Sequence, residues 1–299
     1  MRILITGSQG QVGHCLVKQL TAKKQITMLA CTKDELDITD RQAVIKKVNA
    51  FKPSVIINAA AYTAVDNAES DVEKAYAVNR DGPKYLAEAA EQHQATLLHL
   101  STDYVFSGCN EAPYRETDQT DPHSVYGASK LAGELAVQRA CSKHIILRTA
   151  WVFGEQGGNF VKTMLRLASQ RNTLNVVNDQ LGGPTYAGDI ASALIRIAQH
   201  LEEDDNPRYG LYHFTGYPHV SWYEFASAVF ACAYQQGILK TVPTVTPIST
   251  AEYPTPAKRP ANSRLDTTQI MAQFSIPPSD WQCALTNLSD YQDESDASN

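Results

Sequence analysis

The sequence predicts an α/β fold, a doubly wound parallel sheet followed by a smaller C-terminal lobe, and three observations predict it. Short apolar runs alternate with stretches of helical periodicity through residues 1–150. The runs are apolar throughout, as in strands buried on both faces. A glycine-rich turn joins the first run to the first helical stretch, the connection expected of repeated strand–helix units. Taken in order, Arg2 to Thr6 is a first strand, and Val12, Cys15, Leu16 and Leu20 then recur at helix spacing. Ile26 to Cys31 is a second strand, and Pro53 to Ala59 a third, entered through its proline. A long helical stretch spans Val72 to Gln92, Thr96 to Ser101 is a fourth strand, and a helix carrying Tyr126 and Lys130 follows. His144 to Thr149 is a fifth strand.

After Trp151 this rhythm breaks at Gly157-Gly158, Gly182-Gly183-Pro184 and the prolines between Pro243 and Pro260. The expected organisation is a nucleotide-binding domain over 1–150 and a second lobe mainly over 151–299, with parts of 185–215 returning to the first domain. Glu202 to Pro207 is a polar surface loop, and the acidic stretch 289–299 is expected to be loosely held. No internal repeat is visible.

The chain has 299 residues, enough for one large core or two domains sharing an interface. Hydrophobic content of 43% against 19% charged reads as soluble and globular. No apolar run approaches membrane-spanning length, and the N-terminal one is too short for a signal-peptide core, so a cytoplasmic protein is expected. Six cysteines are scattered without disulfide or zinc spacing. A formal net charge of −6 disfavours a nucleic-acid partner. A phosphorylated small molecule is compatible with it, since local arginines or helix N-termini suffice to bind one.

Gly7-Ser8-Gln9-Gly10-Gln11-Val12-Gly13 follows the first strand and opens the first helix. The spacing G-x-x-G-x-x-G is one residue wider than the usual dinucleotide fingerprint, with the same physics. Glycines let the backbone turn sharply against a pyrophosphate, and the helix N-terminus offers free N–H groups and a positive dipole end. The fold is therefore Rossmann-like, with NAD(P) as its cofactor. At the end of the second strand, Cys31-Thr32-Lys33 stands where an acidic residue would bind the ribose of NAD. A lysine and a hydroxyl better suit a 2′-phosphate, so NADPH is expected over NADH, although Asp34 and Glu35 follow at once.

Tyr126 and Lys130 form Y-x-x-x-K, a spacing that shares one helix face. An ammonium beside a phenol favours the phenolate and lowers its pKa, which would let Tyr126 exchange a proton with a carbonyl or alcohol near neutral pH.

The glycine turn, Asn58-Ala59-Ala60-Ala61, Ser101-Thr102-Asp103-Tyr104-Val105-Phe106 and Tyr126-x-x-x-Lys130 occur together and in this order. This combination resembles the extended short-chain dehydrogenase/reductase family. Asp37-Ile38-Thr39-Asp40, Ala60 to Asp66, Arg148 to Gly154, Asp179-Gln180-x-Gly182-x-Pro184-Thr185 and Arg259-Pro260-x-Asn262-Ser263-x-Leu265-Asp266 narrow the resemblance to its dTDP-4-dehydrorhamnose reductases. The resemblance implies NADPH-dependent reduction of the 4-keto group of dTDP-4-dehydro-6-deoxy-L-mannose to dTDP-L-rhamnose. The resemblance thereby implies dTDP-rhamnose biosynthesis and a link to lipopolysaccharide O-antigen. It also implies roles: Tyr126 as proton donor, Lys130 as holder of the nicotinamide ribose, and Thr102 as hydrogen-bond partner of the reacting oxygen. Gly7, Gly10, Gln11, Val12, Gly13, Lys33, Asp37, Ile38, Ala60, Ala61, Tyr62 and Thr63 would surround the cofactor. The same resemblance and the chemistry of their side chains make Asp103, Trp151, Asn178, Gln180 and Arg259 candidate substrate contacts, with a guanidinium suited to a diphosphate. Asn79 matches a helix asparagine for which a structural role is equally open.

Some members of the family dimerise through magnesium held by two glutamates. Here His14-Cys15 and Tyr186-Ala187-Gly188-Asp189 stand in those regions, and neither a cysteine nor a glycine is a hard-cation ligand. No magnesium site is expected, and the oligomeric state, monomer or homodimer, is left open. Two other functions fit the motifs: a 4-ketoreductase of another nucleotide-linked deoxysugar, and a noncatalytic regulatory subunit like that of methionine adenosyltransferase. The intact Thr102, Tyr126 and Lys130 argue against the latter. An epimerase or dehydratase fits less well, because Tyr104 follows Asp103 where a dehydratase would complete a carboxylate pair.

Overall fold

A computed structural model describes residues 1–291. Its main sheet has six parallel strands: β1 (Arg2–Thr6), β2 (Thr27–Cys31), β3 (Val55–Asn58), β4 (Thr96–Thr102), β5 (His144–Thr149) and the edge strand Gly210–His213. Their order is β2, β1, β3, β4, β5, then Gly210–His213. Because β1 lies between β2 and β3, the winding reverses beside it, and the carboxyl ends of the strands open a crevice there.

Both sheet faces are covered, which is why the strands read as unbroken apolar runs. On one face Ile3, Ile5 and Ile57 pack with Leu16 of α1 (Gln11–Thr21) and Leu194 of the helix Ala187–Glu203. On the other, Leu4 and Ile56 pack with Val44, Leu86 and Val137 of the helices Arg41–Phe51, Gly82–Gln92 and Val125–Ala140. The chain thus re-enters the sheet after the second lobe has begun, through Ala187–Glu203 and the edge strand.

The helical stretch Val72–Gln92 is continuous but carries a π turn at Ala77–Asp81. The neighbouring helix comes so close that a Cβ on Gly133 would stand 2.0 Å from the Asn79 carbonyl oxygen. A π turn of this kind re-aims a side chain within a helix, and here the side chain is Asn79.

The second lobe has its own core, built around Phe153, Leu165, Phe225, Phe230, Trp281 and Leu288. Residues 289–291 do not form the loose chain expected of the acidic tail. The turn Leu285–Tyr291 carries Tyr291 back into this core, where its ring lies 6.3 Å from that of Phe153. The rest of the expected tail, 292–299, lies outside the described residues. Among the described residues no helix is long and apolar enough to cross a membrane.

Candidate active site at the carboxyl ends of the strands

The glycine turn follows β1 directly. Gly7 has φ +69°, and a Cβ on it would stand 2.6 Å from the Ala60 nitrogen in the loop after β3. A Cβ on Gly13 would stand 2.0 Å from the Gly7 carbonyl oxygen. Only glycine fits either place, and together they let α1 start hard against the sheet. Gly10 caps α1 with no side-chain hydrogen bond, so the positive helix end faces the crevice without a protein anion at its cap. Val12 is buried in the core, so only its backbone serves the turn. The Gln11 amide oxygen accepts from Asn159 Nδ2 at 3.2 Å and ties the turn to the second lobe.

The loop after β3 is fixed from below. Asn58 Oδ1 accepts from Thr6 Oγ1 at 2.7 Å and from the Ala60 N–H at 3.1 Å. Asn79 clamps Tyr62, accepting its N–H at 2.8 Å and donating to its carbonyl at 3.1 Å. Asn79 Nδ2 also donates to Ser129 Oγ on the helix of Tyr126, which gives it the structural role left open by the sequence. Ala60, Ala61 and Tyr62 stay partly exposed, and Thr63 is exposed. Beyond β2, Lys33 is exposed, while Glu35 turns back to accept the Thr32 N–H at 2.8 Å. Asp37 accepts both the N–H and the hydroxyl of Thr39, which hold its carboxyl below the usual range. Ile38 is buried against Gly82, with its side chain in the core.

Thr102 ends β4, and Tyr126 and Lys130 lie on Val125–Ala140, whose N-cap Ser124 accepts the Gly127 N–H at 3.1 Å. All three are buried. Lys130 Nζ donates to the Leu100 carbonyl at 2.6 Å, and burial pushes its pKa down to about 8. The Thr102 hydroxyl donates to Asp103 Oδ1 at 3.0 Å. Burial raises Asp103 to about 6, and its Oδ2 has no hydrogen-bond partner. The Tyr126 phenol departs from expectation. Burial raises its pKa, with the Thr102 hydroxyl pulling the other way and the Asp103 and Tyr104 charges adding to the rise. Lys130, turned to the end of β4, is not among the groups that shift it. Helix spacing put the two residues on one face, but desolvation and not the Lys130 charge sets the phenol.

On the second-lobe side, Trp151 follows β5 with φ +50°, and its indole is stacked on Trp222. Arg259 donates to Asp66 Oδ2 at 2.6 Å and to the Tyr104 hydroxyl at 3.1 Å. Tyr104 in turn sets its ring edge-on to Tyr126 at 5.4 Å. Asn178 Oδ1 accepts from Ser221 Oγ at 2.7 Å, and Gln180 Nε2 donates to Thr250 Oγ1 at 3.0 Å. Asn178 and Gln180 therefore brace loops of the second lobe. Cys15 is buried, its thiol raised to about 11 first by desolvation and then by the Glu155 charge. Among the described residues no three His, Cys, Asp or Glu side chains are grouped to hold a metal.

A family model described as the RmlD substrate binding domain matches residues 1–293. The chain is also 55% identical over 290 residues to the dTDP-4-dehydrorhamnose reductase of Aggregatibacter actinomycetemcomitans, covering 97% of this chain and 99% of that one. The chain belongs to the dTDP-4-dehydrorhamnose reductase family. The reductase of Salmonella typhimurium is 41% identical, covering 96% of this chain and 97% of the relative. Among solved structures, the dTDP-4-dehydrorhamnose reductase of Bacillus anthracis in complex with NADP superimposes with a TM-score of 0.89 at 35% identity, covering 97% and 99% of the two chains. The Thermus thermophilus UDP-glucose 4-epimerase, at 23% identity and a TM-score of 0.79, shares the fold alone.

Sequence reasoning missed two groups beneath this reductase-family site. Glu134, one helical turn beyond Lys130, accepts from Arg148 Nε at 2.9 Å, from Arg148 Nη2 at 2.6 Å and from Ser101 Oγ at 2.5 Å. This buried pair joins the helix Val125–Ala140 to β5 and the end of β4. The continued i, i+4 series Tyr126, Lys130, Glu134 was the available signal. His99 is fully buried behind Lys130, its Nδ1 accepting from Asn58 Nδ2 at 3.0 Å. Burial, reinforced by the Lys130 charge, holds His99 neutral with its pKa well below the ordinary value.

Proposed function

We propose that the chain reduces the 4-keto group of dTDP-4-dehydro-6-deoxy-L-mannose to give dTDP-L-rhamnose, with NADPH as reductant. The observation that supports this reading is that Thr102 at the end of β4 and Tyr126 and Lys130 on Val125–Ala140 are all buried, in the sheet whose β1 ends in the glycine turn. The close-packed Gly7 and Gly13 and the bare cap of α1 fit a dinucleotide pyrophosphate. Gly7, Gly10, Gln11, the Val12 backbone and Gly13 would hold it, with Asp37 and the backbone beside Ile38 near the adenine. Ala60, Ala61, Tyr62 and Thr63 would line the cofactor's path, and Lys33 would take the 2′-phosphate.

NADPH held in the crevice at the strand ends would supply the hydride for C4 of the sugar. Tyr126 gives the balancing proton to O4, so ketone, hydride and proton close to an alcohol. The raised pKa of the phenol keeps that proton in place before reaction. Thr102 holds O4 by turning its hydroxyl proton from Asp103 Oδ1 to the ketone oxygen. Lys130 binds the nicotinamide ribose and stabilises the tyrosinate left after proton transfer. Asp103 and Trp151 line the sugar side, and Arg259 meets the diphosphate beside its Asp66 partner. Asn178 and Gln180 act on the nucleotide side by bracing their loops. This reading assigns the cofactor to a domain of 1–150, with parts of 185–215 returning to it, and the substrate mainly to the lobe that follows residue 150.

The test is NADPH oxidation with dTDP-4-dehydro-6-deoxy-L-mannose generated in situ. Well-folded protein that binds NADPH yet turns over none of this sugar would sink the reading.

A further inference from the structure

The protein has three tryptophans. Trp281 is buried in the second-lobe core, whereas Trp151 and Trp222 are both partly exposed and lie on each other, ring centroids 3.5 Å apart and planes 9° apart. Trp151 holds a left-handed backbone conformation that a bulky side chain rarely adopts, and such outliers persist where the surroundings over-determine them. Two features do so here. A Cβ on Gly182 would stand 2.4 Å from Trp151 Cε2, so only glycine leaves room for the indole. Trp222 supplies the stacking ring, and it is itself anchored. It opens the helix Trp222–Gln235, whose cap Ser221 forms a full capping box with Glu224 and donates to Asn178 Oδ1. Phe160 packs against Trp222, with ring centroids 4.5 Å apart. The short ladder Leu181–Gly182 with Val220–Ser221 pairs the glycine with Val220 and its neighbour Leu181 with Ser221, the residue preceding Trp222. One small element therefore sets both contacts of the Trp151 indole.

We propose that Trp222 is a positioning residue for substrate recognition. With Gly182 it fixes the Trp151 indole as a rigid wall of the sugar-nucleotide site, so that substrate affinity depends on the stack while the chemical step does not. The proposal rests on the reading of Trp151 as a substrate contact made above. A side chain held in one rotamer before binding loses no freedom on binding, and an aromatic pair adds to its area burial.

The test compares Trp222→Ala, Trp222→Phe and Gly182→Ala with the wild type. It reads KM and kcat for the dTDP-sugar, the dissociation constant for NADPH, Tm, and the circular-dichroism couplet that two stacked indoles produce. Trp222→Ala is expected to lose the couplet and raise KM about tenfold, with kcat and NADPH affinity unchanged. Trp222→Phe should also lose the couplet yet recover most of the affinity. Gly182→Ala, which displaces Trp151 directly, should raise KM in the same way. Loss of the couplet with wild-type KM, or a parallel decline of KM, kcat, NADPH affinity and Tm, would overturn the proposal. If Trp222→Ala does not fold, wild-type KM in Gly182→Ala overturns it instead. Absence of turnover by the wild type would count against the proposed function; wild-type turnover with an unmoved KM in the variants would count against the stack alone.

Discussion

Arg259 reaches back to Asp66, 193 positions earlier in the chain, and donates to its carboxylate at 2.6 Å while its other terminal nitrogen donates to the Tyr104 hydroxyl. One planar guanidinium thus ties the C-terminal loop both to the short helix Val65–Ala68 and to the ring that packs on Tyr126. A lysine has the charge but not the fork. Arg259→Lys is expected to raise KM for the dTDP-sugar about tenfold, the size of one lost charge-assisted contact. The ion pair is partly exposed, so its loss should cost about 1 kcal/mol or less of stability. Steady-state kinetics and a thermal melt read the two effects separately. A large fall in Tm with unchanged KM would mean that Arg259 is a structural brace only.

On the proposed reading, Tyr126→Phe removes the proton donor and its hydrogen bond with Thr102, while the ring still packs on Tyr104. The expected loss in kcat is about 10²- to 10⁴-fold, the usual worth of a positioned general acid. NADPH affinity, measured by fluorescence titration, should stay at the wild-type value. A variant that loses NADPH binding as well would show that the phenol is a cofactor-holding or structural group.

Lys33 is the exposed cation beyond β2, and Glu35 beside it is occupied with the Thr32 N–H. This leaves the lysine as the cation nearest in sequence to where a 2′-phosphate is expected. Lys33→Ala should weaken NADPH by about tenfold and leave NADH where it was. An equal effect on both cofactors would remove the charge argument for the preference.

How far the sequence could be read follows from which forces are local. The five strands of the first half were legible because burial on both faces erases the polar alternation that would have blurred them. The pair Tyr126 and Lys130 was legible because helix spacing is a local rule, and so was the turn at Gly7 and Gly13. The tuning of Tyr126 was not legible, since its pKa is set by desolvation, and burial depends on elements distant in the chain. The π turn at Asn79 was hidden for the same reason: its neighbour is Gly133, on another helix. The Trp151–Trp222 stack and the Glu134–Arg148 pair are tertiary, and no periodicity announces them.

Lys130 makes the stability of the cofactor-free protein depend on pH. Its folded pKa is about 8 against an ordinary value of 10.5. Between those values the unfolded chain binds the proton and the folded one does not, so stability rises with pH across that window. Below about 8 both states carry the proton, so the destabilisation from burying the ammonium is complete and the slope levels off. Lys130→Met should remove this slope, and it should raise stability at pH 7 while abolishing turnover. Urea melts from pH 7 to pH 10 on both proteins check it. Parallel pH profiles would show that Lys130 keeps its ordinary pKa in the fold.

The Glu134–Arg148 pair should show the asymmetry of buried charge. Both side chains are almost inaccessible, at 1% and 4% exposure. Glu134→Leu leaves the Arg148 guanidinium over the Phe106 ring, 4.9 Å from its centroid, without its salt-bridge partner. The expected cost is about 3–5 kcal/mol, the price of stranding a buried ion. Removing both charges in Glu134→Leu with Arg148→Met should cost much less than the single change, because the desolvation penalty leaves with the arginine. Denaturant melts of the two single variants and the double variant form the cycle that separates these terms. Because Glu134 lies one turn beyond Lys130 and also holds Ser101 next to Thr102, the single variant should lose activity along with stability. If the double variant regains stability but not turnover, the pair is aligning the ends of β4 and the catalytic helix. If single and double variants are equally unstable, the pair's worth lies in its hydrogen bonds and not in cancelling a buried charge.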